Sequence, residues 1–121
     1  MTHKKLIVWQ KGIELVKVIY RVTAGFPSSE QFGLISQIRR SAVSIPSNIA
    51  EGCGRASDKE LIQFLYIALG SASELETQII ISSELNFLER EKADVLNESV
   101  NEIIKMISSL IKSIRTRNDI K

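Results

Sequence analysis

A lone cysteine, Cys53, and a lone histidine, His3, are all the thiol and imidazole ligands in this sequence. One cysteine excludes an intramolecular disulfide, and the two residues together leave too few donors for a typical four-ligand zinc site. A cytoplasmic, reducing setting with no metal and no cofactor is the expectation. Prolines are scarce as well, Pro27 and Pro46 alone, so few positions force the chain out of helix. No apolar run approaches the roughly 20 residues that a spanning helix needs, so no membrane association is expected. The opening MTHKKLIVWQKGIEL has too short an apolar segment for a signal peptide. Internal repeats, low-complexity tracts and linkers are missing, and 121 residues suffice for a single domain, 1–121, with one core.

What is present is helical periodicity. Trp9, Ile13, Val16 and Tyr20 recur at steps of four and three and predict a first helix over about residues 6–24, with Leu15, Val18 and Val22 as a second apolar edge. Gly25, Phe26 and Pro27 stop it. Ser28 and Gln31 are spaced as a capping box for a second helix, whose buried face is Leu34, Ile38, Ala42, Ile45 and Ile49. Gly52 and Gly54 end that helix, and Ser57 with Glu60 forms the capping box of a third, over about residues 58–86. Its main stripe is Leu61, Leu65, Ala68, Ala72, Leu75 and Ile79. Ile62, Phe64, Tyr66, Ile67, Ile80 and Ile81 spread over its other faces, and a helix apolar beyond one stripe wants a second partner. The simplest partner is another copy of the chain, so a homo-oligomer is expected. A fourth helix, about residues 90–115, carries Leu96, Val100, Ile103, Ile107, Leu110, Ile111 and Ile114 in near-heptad spacing, followed by a basic tail expected to fray. Short turns between four helices define an all-α, antiparallel up-and-down four-helix bundle.

Charge is unevenly placed. Residues 1–55 hold eight Lys/Arg against three acids, residues 56–104 three against ten, and residues 105–121 five against one. Two readings follow. The basic regions could meet and face RNA or DNA phosphates through Lys4, Lys5, Lys11, Lys112, Arg115 and Arg117. Alternatively, basic helices pack beside acidic ones and the charges pair or stay solvated.

The most irregular stretch is QIRRSAVSIPSNIAEGCGR, residues 37–55. Arg40, Ser44, Ser47, Glu51 and Arg55 fall on one polar stripe of a continuous helix, with Asn48 beside it and Ser41, Ala42, Ala50 and Gly52 as small neighbours. Pro46 removes the amide that would bond the Ala42 carbonyl, which predicts a kink near Pro46. Functionally, Arg39, Arg40 and Arg55 could contact a phosphate or partner, oriented by Asn48 and Glu51. Structurally, Arg39, Arg40, Ser44, Asn48, Glu51 and Arg55 would form an interfacial polar network, the arginines pairing with Glu51 or with Glu74 and Glu76. No catalytic residue emerges. EGCGR lacks the lysine and hydroxyl residue of a phosphate loop, and Glu74 and Glu76, two apart, diverge on a helix. His3 sits in a terminus expected to be mobile, Cys53 reads as a small packing residue and Trp9 as core.

These residues carry a resemblance. Trp9, Phe26-Pro27 with Glu30, Phe32-Gly33-Leu34, QIRRSAVSIPSNIAEG, Arg55, Ser57 and the run IALGSASELET over residues 67–77 are similar to the bacterial four-helix bundle family, also called the 23S rRNA intervening-sequence protein family. The match covers nearly the whole chain through Leu88, with Ser41 and Ala56 standing where alanine and glycine would be expected, and helix 4 follows in pattern alone. The resemblance implies a four-helix bundle that assembles as a homopentamer, without catalytic residues. Some relatives are encoded within rRNA-gene insertions. Others accompany diversity-generating retroelements and bind a reverse transcriptase and nucleic acid. A non-enzymatic homo-oligomeric scaffold binding a protein partner is therefore the first expectation, and an RNA- or DNA-binding accessory ring the second.

Overall fold

The computed structural model describes residues 2–120, with side chains described through Asn118. Four helices make up the fold: α1 (Ile7–Thr23), α2 (Leu34–Cys53), α3 (Asp58–Glu84) and α4 (Arg90–Ile120), with short 3-10 helices at His3–Lys5 and Ser28–Glu30. Each helix packs against two others in the cyclic order α1, α2, α3, α4, and no Cα atoms of the diagonal pairs come within 8 Å. Contacts at successive heights fix the directions. Arg39 meets Thr23 while Pro46 meets Gly12, and Ser41 meets Glu74 while Gly52 meets Phe64. Likewise Asn101 meets Glu76 while Arg117 meets Asp58. Each later residue on one helix meets an earlier one on its neighbour, which is the antiparallel up-and-down arrangement. Among the described residues no strand forms and no helix is long and apolar enough to cross a membrane.

The core is a column of aliphatic side chains. Ile19 of α1, Ile38, Ile45 and Ile49 of α2, Leu65, Leu75 and Ile79 of α3, and Ile103, Ile107 and Ile114 of α4 are essentially excluded from water. Fully burying such a side chain contributes about 1.5–3 kcal/mol. The expected stripes of α2, α3 and α4 are those buried, Leu110 of α4 alone lying half-buried at the edge.

In α1 the expected face is displaced. Val8, Gly12, Leu15, Ile19 and Thr23 turn inward, Trp9, Ile13 and Val16 are half-buried, and Tyr20 is exposed. The inward row contains a glycine and a threonine because α2 comes close there: a Cβ on Gly12 would lie 3.4 Å from Pro46 Cβ. Small size and a satisfied hydroxyl, rather than hydrophobicity, select these positions. α2 stays helical through Pro46, whose ring fills the space beside Gly12.

The ends follow capping chemistry. Ser57 Oγ accepts the Glu60 amide at 3.2 Å and caps α3 as expected. The Ser28–Gln31 box does not form: that segment is a 3-10 turn, and α2 begins only at Leu34. The Leu34 amide donates to Glu30 Oε1 at 3.3 Å, so Glu30 supplies the cap that Gly33 lacks. α3 ends in a Schellman turn, with Asn86 at φ 63° and the Phe87 and Asn86 amides bonded to the Ser82 and Ser83 carbonyls. α4 does not end near Arg115 but continues to Ile120, aided by buried Ile114 and by Arg117 bonded to Asp58. His3 is ordered too, packed edge-on against Trp9 with centroids 5.1 Å apart. Lys121 lies outside the described residues.

Candidate functional site

α2 presents three polar edges, each meeting different neighbours. Towards α3, Ser41 Oγ donates to Glu74 Oε1 at 2.7 Å and the Ser44 and Ser71 hydroxyls bond at 2.8 Å. Asn48 Nδ2 donates to the Ser44 carbonyl at 2.8 Å and to its hydroxyl at 2.9 Å. Steps of three and four keep Ser41, Ser44 and Asn48 in one row, and their size lets α3 approach. Towards α1, the buried Thr23 hydroxyl donates to the Ile19 carbonyl at 2.7 Å and accepts from Arg39 Nε at 2.9 Å. Arg39 also donates to the Tyr20 carbonyl, and its guanidinium lies 4.4 Å over the Tyr20 ring. The outer edge holds Arg40, exposed and without a hydrogen bond or ion pair among the described residues. Further along, Glu51 pairs with Arg55 at 3.2 Å, and Arg55 reaches Glu60 at 3.9 Å and covers Phe64.

The single stripe read from the sequence is thus divided between two seams and the surface. Arg39 and Arg40 do not pair with Glu74 or Glu76. Ser41 holds Glu74, and Asn101 of α4 donates to Glu76 at 2.7 Å. Adjacent residues diverge by about 100° around a helix, so Arg39 reaches the α1 boundary and Arg40 the solvent. Sequence reading missed Thr23, Tyr20 and Ser71 as partners in these seams. The signal for Ser71 was the run of small residues Gly70, Ser71, Ala72 and Ser73 in the middle of α3.

Antiparallel packing brings the basic segments together. The start of α1, the end of α2, the start of α3 and the end of α4 share one end of the bundle, which therefore collects Lys4, Lys5, Arg55, Lys112, Arg115 and Arg117, together with Lys59. Every described acid there, Glu51, Asp58 and Glu60, is paired with Arg55 or Arg117. Lys4, Lys5, Lys59, Lys112 and Arg115 have no acid partner among the described residues; Arg115 lies 5.3 Å over the Tyr66 ring. Lys11 stands apart, bonded to Glu102 at 2.9 Å across the α1–α4 seam. The opposite end is dominated by Glu84, Glu89, Glu91 and Asp94.

Beneath the Lys11–Glu102 pair runs a cleft of about 250 Å³ floored by Leu15, Val18, Leu96 and Ile103. A second groove, about 460 Å³, lies between α3 and α4 at Tyr66. Among the described residues no group of three His, Cys, Asp or Glu side chains is placed to hold a metal ion. Burial pushes the Cys53 thiol above its ordinary pKa, so the neutral thiol is favoured.

A four-helix bundle closed by seams of serine, asparagine and glycine, with one cationic end, is the class that this geometry defines. The chain belongs to the 23S rRNA-intervening sequence protein family, whose model matches residues 4–109. Among solved structures it is similar to the crystal structure, at 1.70 Å, of a protein of unknown function from the S23 ribosomal protein family of Bacteroides thetaiotaomicron. The two are 30% identical with a TM-score of 0.82, over 88% of this chain and 96% of that one. No curated protein matches.

Proposed function

We propose that the protein is a non-enzymatic scaffold that assembles with further copies of itself, as the ring of five suggested by the family resemblance, and that the assembly holds a protein partner. The observation that carries this reading is the outer face of α2 and α3. Ile67 and Ile81 lie seven residues either side of Glu74, so they share the row that borders α2, and they remain 50% and 41% exposed. Between them, a Cβ on Gly70 would meet nothing within 4 Å. Exposed isoleucines on either side of an open glycine leave a surface that another helix can cover. The raised thiol pKa of Cys53, which makes it a poor nucleophile, supports a non-enzymatic role.

Light scattering on the eluting protein tests the assembly. The expected mass is a multiple of the 13.6 kDa protomer, falling towards one protomer in an Ile67→Glu, Ile81→Glu double variant with unchanged helicity. A wild-type protein of protomer mass at micromolar concentration would sink the proposal. Co-purification with a protein encoded beside it, a reverse transcriptase included, tests the partner.

A second reading, an RNA- or DNA-binding accessory role, is favoured by the cationic end, where among the described residues the acids are paired and five cations have no acid partner. Binding would weaken steeply with salt, since each neutralised phosphate releases counterions. Lys4, Lys5, Lys112 and Arg115 are its contacts, whereas Lys11 and Arg117 are engaged with Glu102 and Asp58.

A further inference from the structure

We propose that the α3–α4 groove at Tyr66 binds single-stranded nucleic acid, with the Tyr66 ring as the stacking platform for a base and Lys112 and Arg115 as phosphate contacts. The inference rests on the nucleic-acid reading of the cationic end and narrows it to one groove. Leu69 and Ile111 form the floor, Tyr66 one wall, and Lys112, Arg115 and Thr116 the other. Tyr66 is 45% exposed on the outside of α3, and its hydroxyl has no hydrogen bond among the described residues. A buried tyrosine hydroxyl usually finds a partner, whereas this one is left to solvent with half of its ring. What holds this ring is the Arg115 guanidinium, a contact worth about 0.5–1 kcal/mol at an exposed site and so readily exchanged for a phosphate.

The cations continue on both sides of the ring. Lys112 and Arg115, three apart, project from one face of α4, and Lys105 follows about 10 Å further along the same stripe. On α3, Lys59 precedes Tyr66 by the same seven residues. A strand laid along the seam would meet positive charge at each level, with one base able to turn inward onto Tyr66. Beyond Lys105 the track ends, because Asn101 is bonded to Glu76 and the α4 stripe becomes Glu98 and Asp94. A duplex keeps its bases stacked on one another, so no base face is free to lie on the ring. A strand with unpaired bases leaves such faces free.

The test is fluorescence anisotropy of the full chain with a labelled oligouridylate of about ten nucleotides, beside an RNA duplex of equal length. Tyr66→Ala should weaken single-strand binding about tenfold and Tyr66→Phe should restore it, since the ring and not the hydroxyl stacks. Lys112→Gln and Arg115→Gln should each reduce the slope of log affinity against log salt by about 0.7. Unchanged affinity in Tyr66→Ala, with the two cation variants still weakened, would overturn the groove and leave the cationic-end reading standing. No wild-type binding at low salt would remove both. Equal affinity for the duplex would overturn the stacking role, and uridine monophosphate competing as well as the oligonucleotide would reduce the site to a free-nucleotide pocket. Circular dichroism of each variant separates these effects from unfolding.

Discussion

Gly52 faces Phe64 so closely across the α2–α3 seam that a Cβ on the glycine would lie 2.9 Å from Phe64 Cβ and 3.2 Å from the Leu61 carbonyl oxygen. Alanine at this position has the better helix propensity, by up to about 1 kcal/mol, but overpacking costs about 1–3 kcal/mol. Leu61 Cδ1, at 3.1 Å, can rotate away, but the Leu61 carbonyl is backbone and the Phe64 Cβ is the fixed root of a side chain, so these two cannot. Gly52→Ala is therefore expected to lower the thermal midpoint; a rise would mean that α2 and α3 have room to separate.

Gly70 gives the opposite sign. Its Cβ position meets nothing within 4 Å, so Gly70→Ala should stabilise the protomer by about 0.5–1 kcal/mol through the backbone freedom removed from the unfolded chain. Urea unfolding in the Ile67→Glu, Ile81→Glu background, where no second copy covers the glycine, measures it, and a loss of stability there would mean that the protomer does not leave this position open.

Ser41 is 2% exposed and its hydroxyl is bonded to Glu74. Glu74→Ala should cost about 1–3 kcal/mol by removing the acceptor from a buried donor, whereas Glu74→Gln keeps an acceptor oxygen and most of the stability. Equal losses for the two variants would show that the carboxylate charge, and not the hydrogen bond, matters.

Asn48 and Glu51 sit one turn apart yet should differ. Asn48 donates two hydrogen bonds to Ser44 one turn earlier in α2, holding the hydroxyl that meets Ser71, so Asn48→Ala is expected to cost about 1 kcal/mol. The Glu51–Arg55 pair is solvent-exposed, and Glu51→Ala should fall within about 0.5 kcal/mol of wild type. Chemical denaturation of both variants decides, and a larger loss for Glu51 would reverse the assignment.

Arg39→Lys tests the α1–α2 seam. Lysine keeps the charge but loses the planar guanidinium that donates to Thr23 and the Tyr20 carbonyl while stacking on the Tyr20 ring. A drop in melting temperature is expected, and Thr23→Val should reproduce part of it; a neutral Arg39→Lys would show that charge alone suffices.

Helix number, order and the inward stripes of α2, α3 and α4 were legible because aliphatic residues there recur at helical steps and little else competes. The Ser57–Glu60 cap was legible because its chemistry is local. The α1 face was misread because Gly12 and Thr23 carry no hydrophobic signal; their place inside depends on Pro46 and Arg39, which lie far along the chain. For the same reason the arginines of α2 could not be given their partners. Neighbouring side chains separate around a helix, and which seam each enters depends on where α1 and α3 lie. The three charge blocks were visible in the sequence, but which cations have no acid partner is decided by pairings between helices, such as Arg117 with Asp58.

The uneven charge has a consequence for any ring of such protomers. Rotation about an axis parallel to the bundles carries each copy onto the next without turning it over, so the cationic ends share one rim and the acidic ends the other. The assembly would then be two-sided, attracting a polyanion to one rim and repelling it from the other, with the polarity already built into the single chain.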